Sequence, residues 1–441
     1  MSLTHTLVYP ITARNNAAGH LEIGGCDVVE LAERFGTPLL IYDEATIRDQ
    51  CQRYKAAFSA HSDNFEIIYA SKAFSCLAIN QLMLEEGLSI DVSSGGEYHV
   101  AKLAGFPSEK IFFHGNNKTR DELEYALDGG VGYVVVDSFQ ELDLLEQLLA
   151  KRGAKQRILL RITPGVEAHT HSYIETGQVD SKFGFGLGDG LALEAIRRAM
   201  NSPLLELMGL HAHIGSQIFQ LEAYRRAIEI LVQLVAQARA SFSFECRYLN
   251  VGGGLGIRYT QEDSPSSIAD YARVKVEGVR EEVRAAGLPM PRVLIEPGRS
   301  LVGKAGVTAY RVGTIKEIPG VRTYVSVDGG MSDNIRPMLY GARYEGMLAN
   351  KANLPADTTV TVAGKHCESG DILIKDAQIA RPEPGDILVT PGTGAYCFAM
   401  ASNYNGNLRP AVVLVREGEA RVIIERETYA DLVAKHRPLR H

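Results

Sequence analysis

The chain has no tryptophan and only six cysteines in 441 residues. Those cysteines, at 26, 51, 76, 246, 367 and 397, form no C-x-x-C pair and no even ladder. Disulfide frameworks belong to small exported chains and zinc sites need paired ligands, so neither is expected here. No apolar run approaches the roughly 18 residues of a membrane span. The opening MSLTHTLVYPITARNN lacks the charged, apolar and small-residue order of a signal peptide. Basic residues are not in excess: 46 Lys and Arg face 53 Asp and Glu, for a net charge of −7. A broad nucleic-acid surface, which needs clustered cations, is therefore not expected. Low-complexity tracts and short repeats are missing too. The profile that remains is cytoplasmic, with neither a membrane nor a nucleic acid as partner.

What is present is alternation. Apolar, β-branched runs recur at Pro38–Tyr42, Phe65–Ala70, Leu88–Val92, Ile111–His114, Tyr133–Val136, Arg157–Ile162, Leu204–His213, Cys246–Val251 and Val293–Ile295. Between them lie helical patterns such as EAYRRAIEILVQLVAQARA, whose apolar residues repeat every 3.6 positions. Near-continuous apolar strands alternating with helices indicate a parallel sheet covered by helices. Nine runs are one more than an eight-stranded barrel needs, and the pattern does not say which is extra. After Ser300 the texture changes. Strand-like runs at Val307–Ile318, Thr323–Val327, Thr359–Val362, Ile372–Ile379, Asp386–Thr390 and Ala411–Glu425 are separated by turns such as RPEPGD and REGEA. Helical stretches are expected only near Tyr396 and Thr428. This reads as an all-β domain, sandwich or barrel, beginning near residues 290–305.

Three motifs come close to known sites and miss. Gly298–Gly306 has the glycine-to-lysine spacing of a P-loop, but Ala305 stands where a hydroxyl must hold magnesium. NVGGGLG fits G-x-G-x-x-G in no register. His169 with His171, and His211 with His213, each read H-x-H. No carboxylates at strand ends complete a metal site around them, so no metal is expected.

The ends of the strand runs carry more information, because barrel active sites are built there. From Phe65 onward the runs end in Lys72, Asp91 with Ser93, His114, Asp137, Arg161, His213, Gly252–Gly254, and Glu296 with Arg299. Any one of these is an ordinary polar strand end. Together they suggest a site. A partly desolvated Lys72 becomes an amine nucleophile suited to a Schiff base. Three glycines after the seventh of these runs let a backbone approach a phosphate. Glu296 is a costly carboxylate at an apolar strand end unless it meets a cation such as a protonated pyridine nitrogen. Lysine, phosphate loop and carboxylate together spell pyridoxal 5'-phosphate.

The motifs YASKA, HAHIGSQI, NVGGGLG, IEPGRS, DGGMSDNIRPMLYGARYE, HCESGD and GAY, in that order, resemble those of the diaminopimelate decarboxylases. CESGD and RPMLYGA are the more specific. The lysine, GGG and EPGR motifs recur more loosely in ornithine and arginine decarboxylases of the same fold group. The resemblance implies a parallel (β/α)8 TIM-type barrel over residues 37–300. It also implies a C-terminal antiparallel β-sandwich or β-barrel domain over 301–441, joined by 1–36. The run PLLIYD becomes a lead-in, and Lys72 ends the first barrel strand.

The resemblance also implies roles. Lys72 forms the Schiff base and His213 stacks on the cofactor ring. Ser216, Gly252, Gly253, Gly254 and Gly298 hold the phosphate, with Arg299 and Tyr396 nearby. Asp91 is a further cofactor contact, and Glu296 pairs with the ring nitrogen. Arg299, Arg336, Tyr340, Glu368 and Tyr396 bind substrate, and Cys367 donates a proton. Two arginines suit a distal carboxylate and Glu368 a distal ammonium. The implied reaction converts meso-2,6-diaminopimelate to L-lysine and carbon dioxide, the last step of lysine biosynthesis. Cys367 would come from the other subunit of a homodimer with shared active sites. Two other readings are a decarboxylase for a basic amino acid or a carboxylated polyamine precursor, and a binding relative without the cofactor. Lys365 and His366 ahead of the cysteine depart from the smaller or more apolar residues expected there.

Overall fold

The computed structural model describes residues 7–166 and 181–439. Two compact units divide the chain. Gln50–Gly256 and Pro265–Ser300 make one; the other takes the described residues before Gln50, Ile257–Ser264, and those after Ser300.

The first unit is a closed barrel of eight parallel strands: Phe65–Ala70, Ser89–Val92, Ile111–Phe113, Tyr133–Val136, Gln156–Thr163, Leu205–His211, Tyr248–Asn250 and Arg292–Ile295. Each pairs with the next, and the eighth returns to the first through Val293↔Phe65 to Ile295↔Ile67. A two-residue strand, Phe185–Gly186, adds to the fifth from outside the ring. Four helices of this unit start at a Ser or Thr whose side chain accepts from the first turn: Ser94, Thr119, Ser138 and Ser267. Thr119 and Glu122 form a reciprocal capping box at the head of Arg120–Asp128. Glu222–Phe242 buries Tyr224, Ala227, Ile228, Leu231, Val232, Leu234, Val235 and Ala238, one face of a 3.6-residue repeat.

Inside the barrel, alternate residues of successive strands build an apolar floor. Ile68, Phe112, Tyr133, Val135, Leu159, Met208 and Leu294 form one buried cluster, with Tyr248 packed against it. The Phe112 and Tyr133 rings stack 4.4 Å apart at 9°. Side chains on a strand alternate with a period of two. Two residues beyond this floor therefore come His114, Asp137, Arg161, Asn250 and Glu296. The sixth strand obeys the rule only because its register against the fifth shifts between Leu207 and Gly209. The extra residue, Met208, resets the alternation so that His211 takes the next inward place. Only glycine fits at 209, where a Cβ would lie 1.7 Å from the Tyr248 carbonyl oxygen.

The second unit is built on a nine-stranded, mostly antiparallel sheet. It corrects the place given to the first apolar run. The PLLIYD run is no mere lead-in: Leu39–Asp43 is an interior strand of this sheet, antiparallel to Gly306–Ile318 and parallel to Ala411–Arg416. All five of its residues are buried, so its unbroken apolar run reads like a barrel strand although it belongs to the other sheet. A second parallel pairing joins Arg322–Val327 to Thr358–Ala363, so the sheet is mixed rather than purely antiparallel. The helix Arg336–Tyr340 also interrupts the strands; Pro337 in its first turn was its one sequence cue.

Phe112→Ala empties the middle of the barrel floor. It should cost about 3–5 kcal/mol, read as a lower urea midpoint for barrel unfolding. An unchanged midpoint would show that the floor is not packed as described.

Candidate active site

The polar layer above the floor centres on Glu296, a buried carboxylate one residue past the eighth strand. Asn250 Nδ2 donates to Oε1 at 2.6 Å and His211 Nε2 lies 3.0 Å from Oε2. His114 Nε2 is 3.0 Å from Oε1. Burial alone would raise the Glu296 pKa, but the two histidines that face it, His211 and His114, hold it well below the usual carboxylate range. Burial drives His211 down to about 4, against the pull of Glu296. At neutral pH the pair is therefore an ionised carboxylate and a neutral imidazole that donates its Nε2 proton. The expectation that no carboxylate meets the 211/213 histidine pair is corrected: His114, His211 and Glu296 bring their ligand atoms within 4.8 Å of one another. Bulge and barrel closure, invisible in a linear reading, bring them together. His169 and His171 lie outside the described residues.

Around this centre stand the other strand ends. Asp91 is buried, and burial followed by the Glu296 charge pushes its pKa well above the ordinary value, while Lys72 opposes the shift. Arg161 lies 4.1 Å over the Phe183 ring, and Asp137 accepts the Gly184 N–H at 2.9 Å. Lys72 occupies a single helical turn, Ser71–Ala73, directly after the first strand. It is exposed, so the partial desolvation imagined for it is not supplied by its own chain. Burial, then the charges of Lys72 and Arg161, holds His213 well below the usual histidine range.

The glycine turn after the seventh strand is shaped by close approach. A Cβ on Gly253 would meet the Glu296 carbonyl oxygen at 2.0 Å, and Gly252 has φ +64°. A Cβ on Gly298 would meet the Ala70 Cβ at 2.9 Å. Across from the turn, Arg299 Nη2 donates to Ser216 Oγ at 2.9 Å. Arg299, expected to serve both cofactor and substrate, thus sits with the phosphate-binding candidates.

The remaining candidates belong to the second unit. Arg336 is buried, its guanidinium 4.5 Å over the Tyr259 ring and its Nη1 donating to the Tyr344 hydroxyl. Cys397 Sγ is 3.7 Å from that hydroxyl and 3.4 Å from Asn334 Oδ1. Tyr340 closes the helix that Arg336 opens. Tyr396, next to Cys397, has φ +61°, a left-handed conformation rare for a large side chain. Cys367 and Glu368 are exposed on a loop tied down by Asp371. Asp371 accepts from Met331 N at 2.7 Å, His366 N at 2.9 Å and His366 Nδ1 at 2.7 Å. His366, which departs from the expected pattern, is therefore a buried tie for this loop. Sequence reasoning gave no role to Asn250 or His211. A period-two count from Tyr248 would have found Asn250; nothing local marks the bulge that turns His211 inward.

Residues 44–303 match the family model described as pyridoxal-dependent decarboxylase, pyridoxal binding domain. The chain is 52% identical over 429 residues to the diaminopimelate decarboxylase of Bacillus subtilis (strain 168), which covers 97% of this chain and 98% of that one. It is 50% identical over 434 residues to the enzyme of the same name from Synechocystis sp. (strain ATCC 27184 / PCC 6803 / Kazusa), covering 96% and 92%. The solved diaminopimelate decarboxylase from M. jannaschii is similar with a TM-score of 0.91 at 35% identity, over 97% of this chain and 98% of that one. That protein has also been solved with L-lysine. The site fits pyridoxal phosphate: a buried anion for the ring nitrogen, an amine at the rim, and a glycine cradle that any Cβ would fill.

The His211 assignment has a pH signature. Its folded pKa of about 4 lies below the ordinary 6.5, so the unfolded chain binds more protons in between. The stability it contributes is complete above pH 6.5 and is lost as pH falls toward 4. His211→Gln keeps a donor but cannot titrate. The urea midpoint of wild type should fall more steeply than that of the variant between pH 6.5 and 4.5. Parallel curves would mean that His211 is not buried in neutral form.

Proposed function

The chain belongs to the diaminopimelate decarboxylase family, and from that premise we propose how its residues divide the work. The enzyme removes carbon dioxide from meso-2,6-diaminopimelate to give L-lysine, with pyridoxal 5'-phosphate as cofactor. When bound, the cofactor supplies an electron sink for the pair left on the substrate carbon. The observation that carries the reading is the ionised, buried Glu296, which His211, His114 and Asn250 hold where a protonated ring nitrogen needs a counter-charge.

Lys72 anchors the cofactor through its amine. Gly252, Gly253, Gly254, Gly298, Ser216 and Arg299 receive the phosphate, with Tyr396 as a further contact. Backbone N–H groups in a turn suit an anion, and the guanidinium adds a charge-assisted bond. His213 faces the ring as a neutral imidazole, and Asp91 lies beside the anchoring lysine. Arg299, Arg336 and Tyr340 recognise the distal carboxylate, Tyr396 contributes to substrate binding, and Glu368 recognises the distal ammonium. A second carboxylate is what separates this substrate from ornithine, and paired guanidinium bonds are the chemistry that detects it. Cys367 delivers from Sγ the proton that replaces the departed carboxylate.

Cys367 and Glu368 act across a two-fold dimer, each copy of the chain completing the other's site. Their exposure on a firmly tied loop supports that arrangement. The enzyme works in the cytoplasm. All six cysteines are free, in keeping with a reducing compartment, and no described helix is long and apolar enough to cross a membrane.

Carbon dioxide release from meso-diaminopimelate, with L-ornithine and L-arginine as controls, tests the reading. Lys72→Ala and Cys367→Ala homodimers should both be inactive. Co-expressed, about half of the dimers are mixed and each carries one intact site, so roughly a quarter of wild-type turnover should return. No recovery from dimers shown to be mixed would place Cys367 in its own chain's site or outside any site.

A further inference from the structure

Behind the glycine turn lies a lysine that none of these roles uses. Lys275, in the helix Ile268–Ala285, is completely buried. An amine so far from water must find partners. Its Nζ donates to the carbonyls of Val251 and Gly252, at 2.8 Å for the latter. It also lies 4.6 Å from the ring centres of both Tyr224 and Tyr271. Burial pushes its pKa well below the usual lysine value, with the Glu296 charge acting against the shift. The grip does not depend on how that balance falls. A neutral amine still has two N–H donors, one for each carbonyl.

Peptide planarity carries the effect onward. In a trans peptide the C=O and N–H point in opposite directions. With the Gly252 carbonyl held back against Lys275, the Gly253 N–H turns the other way and meets His213 Nδ1 at 3.3 Å. An Nδ1 that accepts places the ring proton on Nε2. With the Val251 carbonyl held likewise, the Gly252 N–H meets Asn250 Oδ1 at 3.0 Å. That bond fixes the Asn250 amide, whose Nδ2 is then the atom that donates to Glu296 Oε1 at 2.6 Å. One buried amine thus stands at the head of two short hydrogen-bonded paths, one ending on His213 and the other on Glu296.

We infer that Lys275 is a positioning residue for the decarboxylation. Through two peptide groups it sets the orientation of His213 and, by way of Asn250, that of Glu296. The inference rests on the roles proposed above for those two residues at the cofactor ring. The plainer alternative is that Lys275 only fastens the helix to the barrel. That role would affect stability and leave the ring's surroundings unchanged.

The test uses the reconstituted holoenzyme. Lys275→Met keeps the apolar stem and removes both donors. Turnover should fall about ten- to a hundredfold while KM for meso-diaminopimelate stays within about twofold. The visible absorption band of the bound cofactor should shift, and the dissociation constant of the cofactor-free protein for pyridoxal phosphate should rise. Asn250→Ala should cost less in the Lys275→Met background than in wild type, because both lie on one path. A lowered melting temperature with a wild-type band and wild-type turnover would overturn the inference, as would strict additivity with Asn250→Ala. If the Met variant does not fold, Lys275→Gln carries the test, since its amide is one atom too short for both carbonyls. A wild-type band and turnover in that variant would equally overturn the inference. Failure of the underlying reading looks different: Glu296→Gln and His213→Ala would then leave the cofactor band and turnover of the holoenzyme as in wild type.

Discussion

The structure turns on keeping one negative charge dry. Glu296 sits at the mouth of a barrel whose floor is apolar, where an unpaired carboxylate would take up a proton rather than stay ionised. Its partners are the least costly that could prevent this. Two neutral donors, Asn250 and His211, occupy both carboxylate oxygens, and His114 completes the enclosure. Neutral donors stabilise the anion without cancelling its charge. The charge therefore remains available to a cation arriving from above, the condition a pyridinium counter-ion must meet.

Much of the barrel's irregular detail serves that condition. The bulge at Met208 costs a ladder hydrogen bond, yet without it Leu210 rather than His211 would face inward. Gly253 leaves room for the turn to pass over the Glu296 carbonyl, which links the phosphate cradle to the strand bearing the carboxylate. Beneath them, the stacked Phe112 and Tyr133 rings give the polar layer a rigid base. In the second unit Asp371 plays a comparable part for the Cys367 loop, joining it to the turn at Met331.

The sequence was legible where chemistry and local pattern coincide. A lysine after an apolar strand, three glycines after another and a glutamate after a third could be read at strand ends, because barrels place their reactive groups there. The alternation of apolar strands and amphipathic helices read as a parallel sheet covered by helices, and its closure into an eight-stranded barrel came with the family resemblance. Where partners are distant in sequence, the reading stopped. Leu39–Asp43 has the composition of a barrel strand, and only its hydrogen bonds to Gly306–Ile318 and Ala411–Arg416 assign it elsewhere. His211 depends on a one-residue bulge with no local mark. Lys275 lies on an ordinary helical repeat, and its burial between two tyrosines appears only when that helix meets the glycine turn.

Glu296→Gln removes the charge and almost nothing else, so it bears most directly on this account. Carbon dioxide release from meso-diaminopimelate should be measured on a variant shown by absorbance to hold its cofactor. Turnover should fall about a hundredfold or more, the scale of losing a preorganised electrostatic contact at the reacting centre. A cofactor-loaded variant that turns over like wild type would contradict the account, because the buried charge would then be an element of the fold and not of the chemistry.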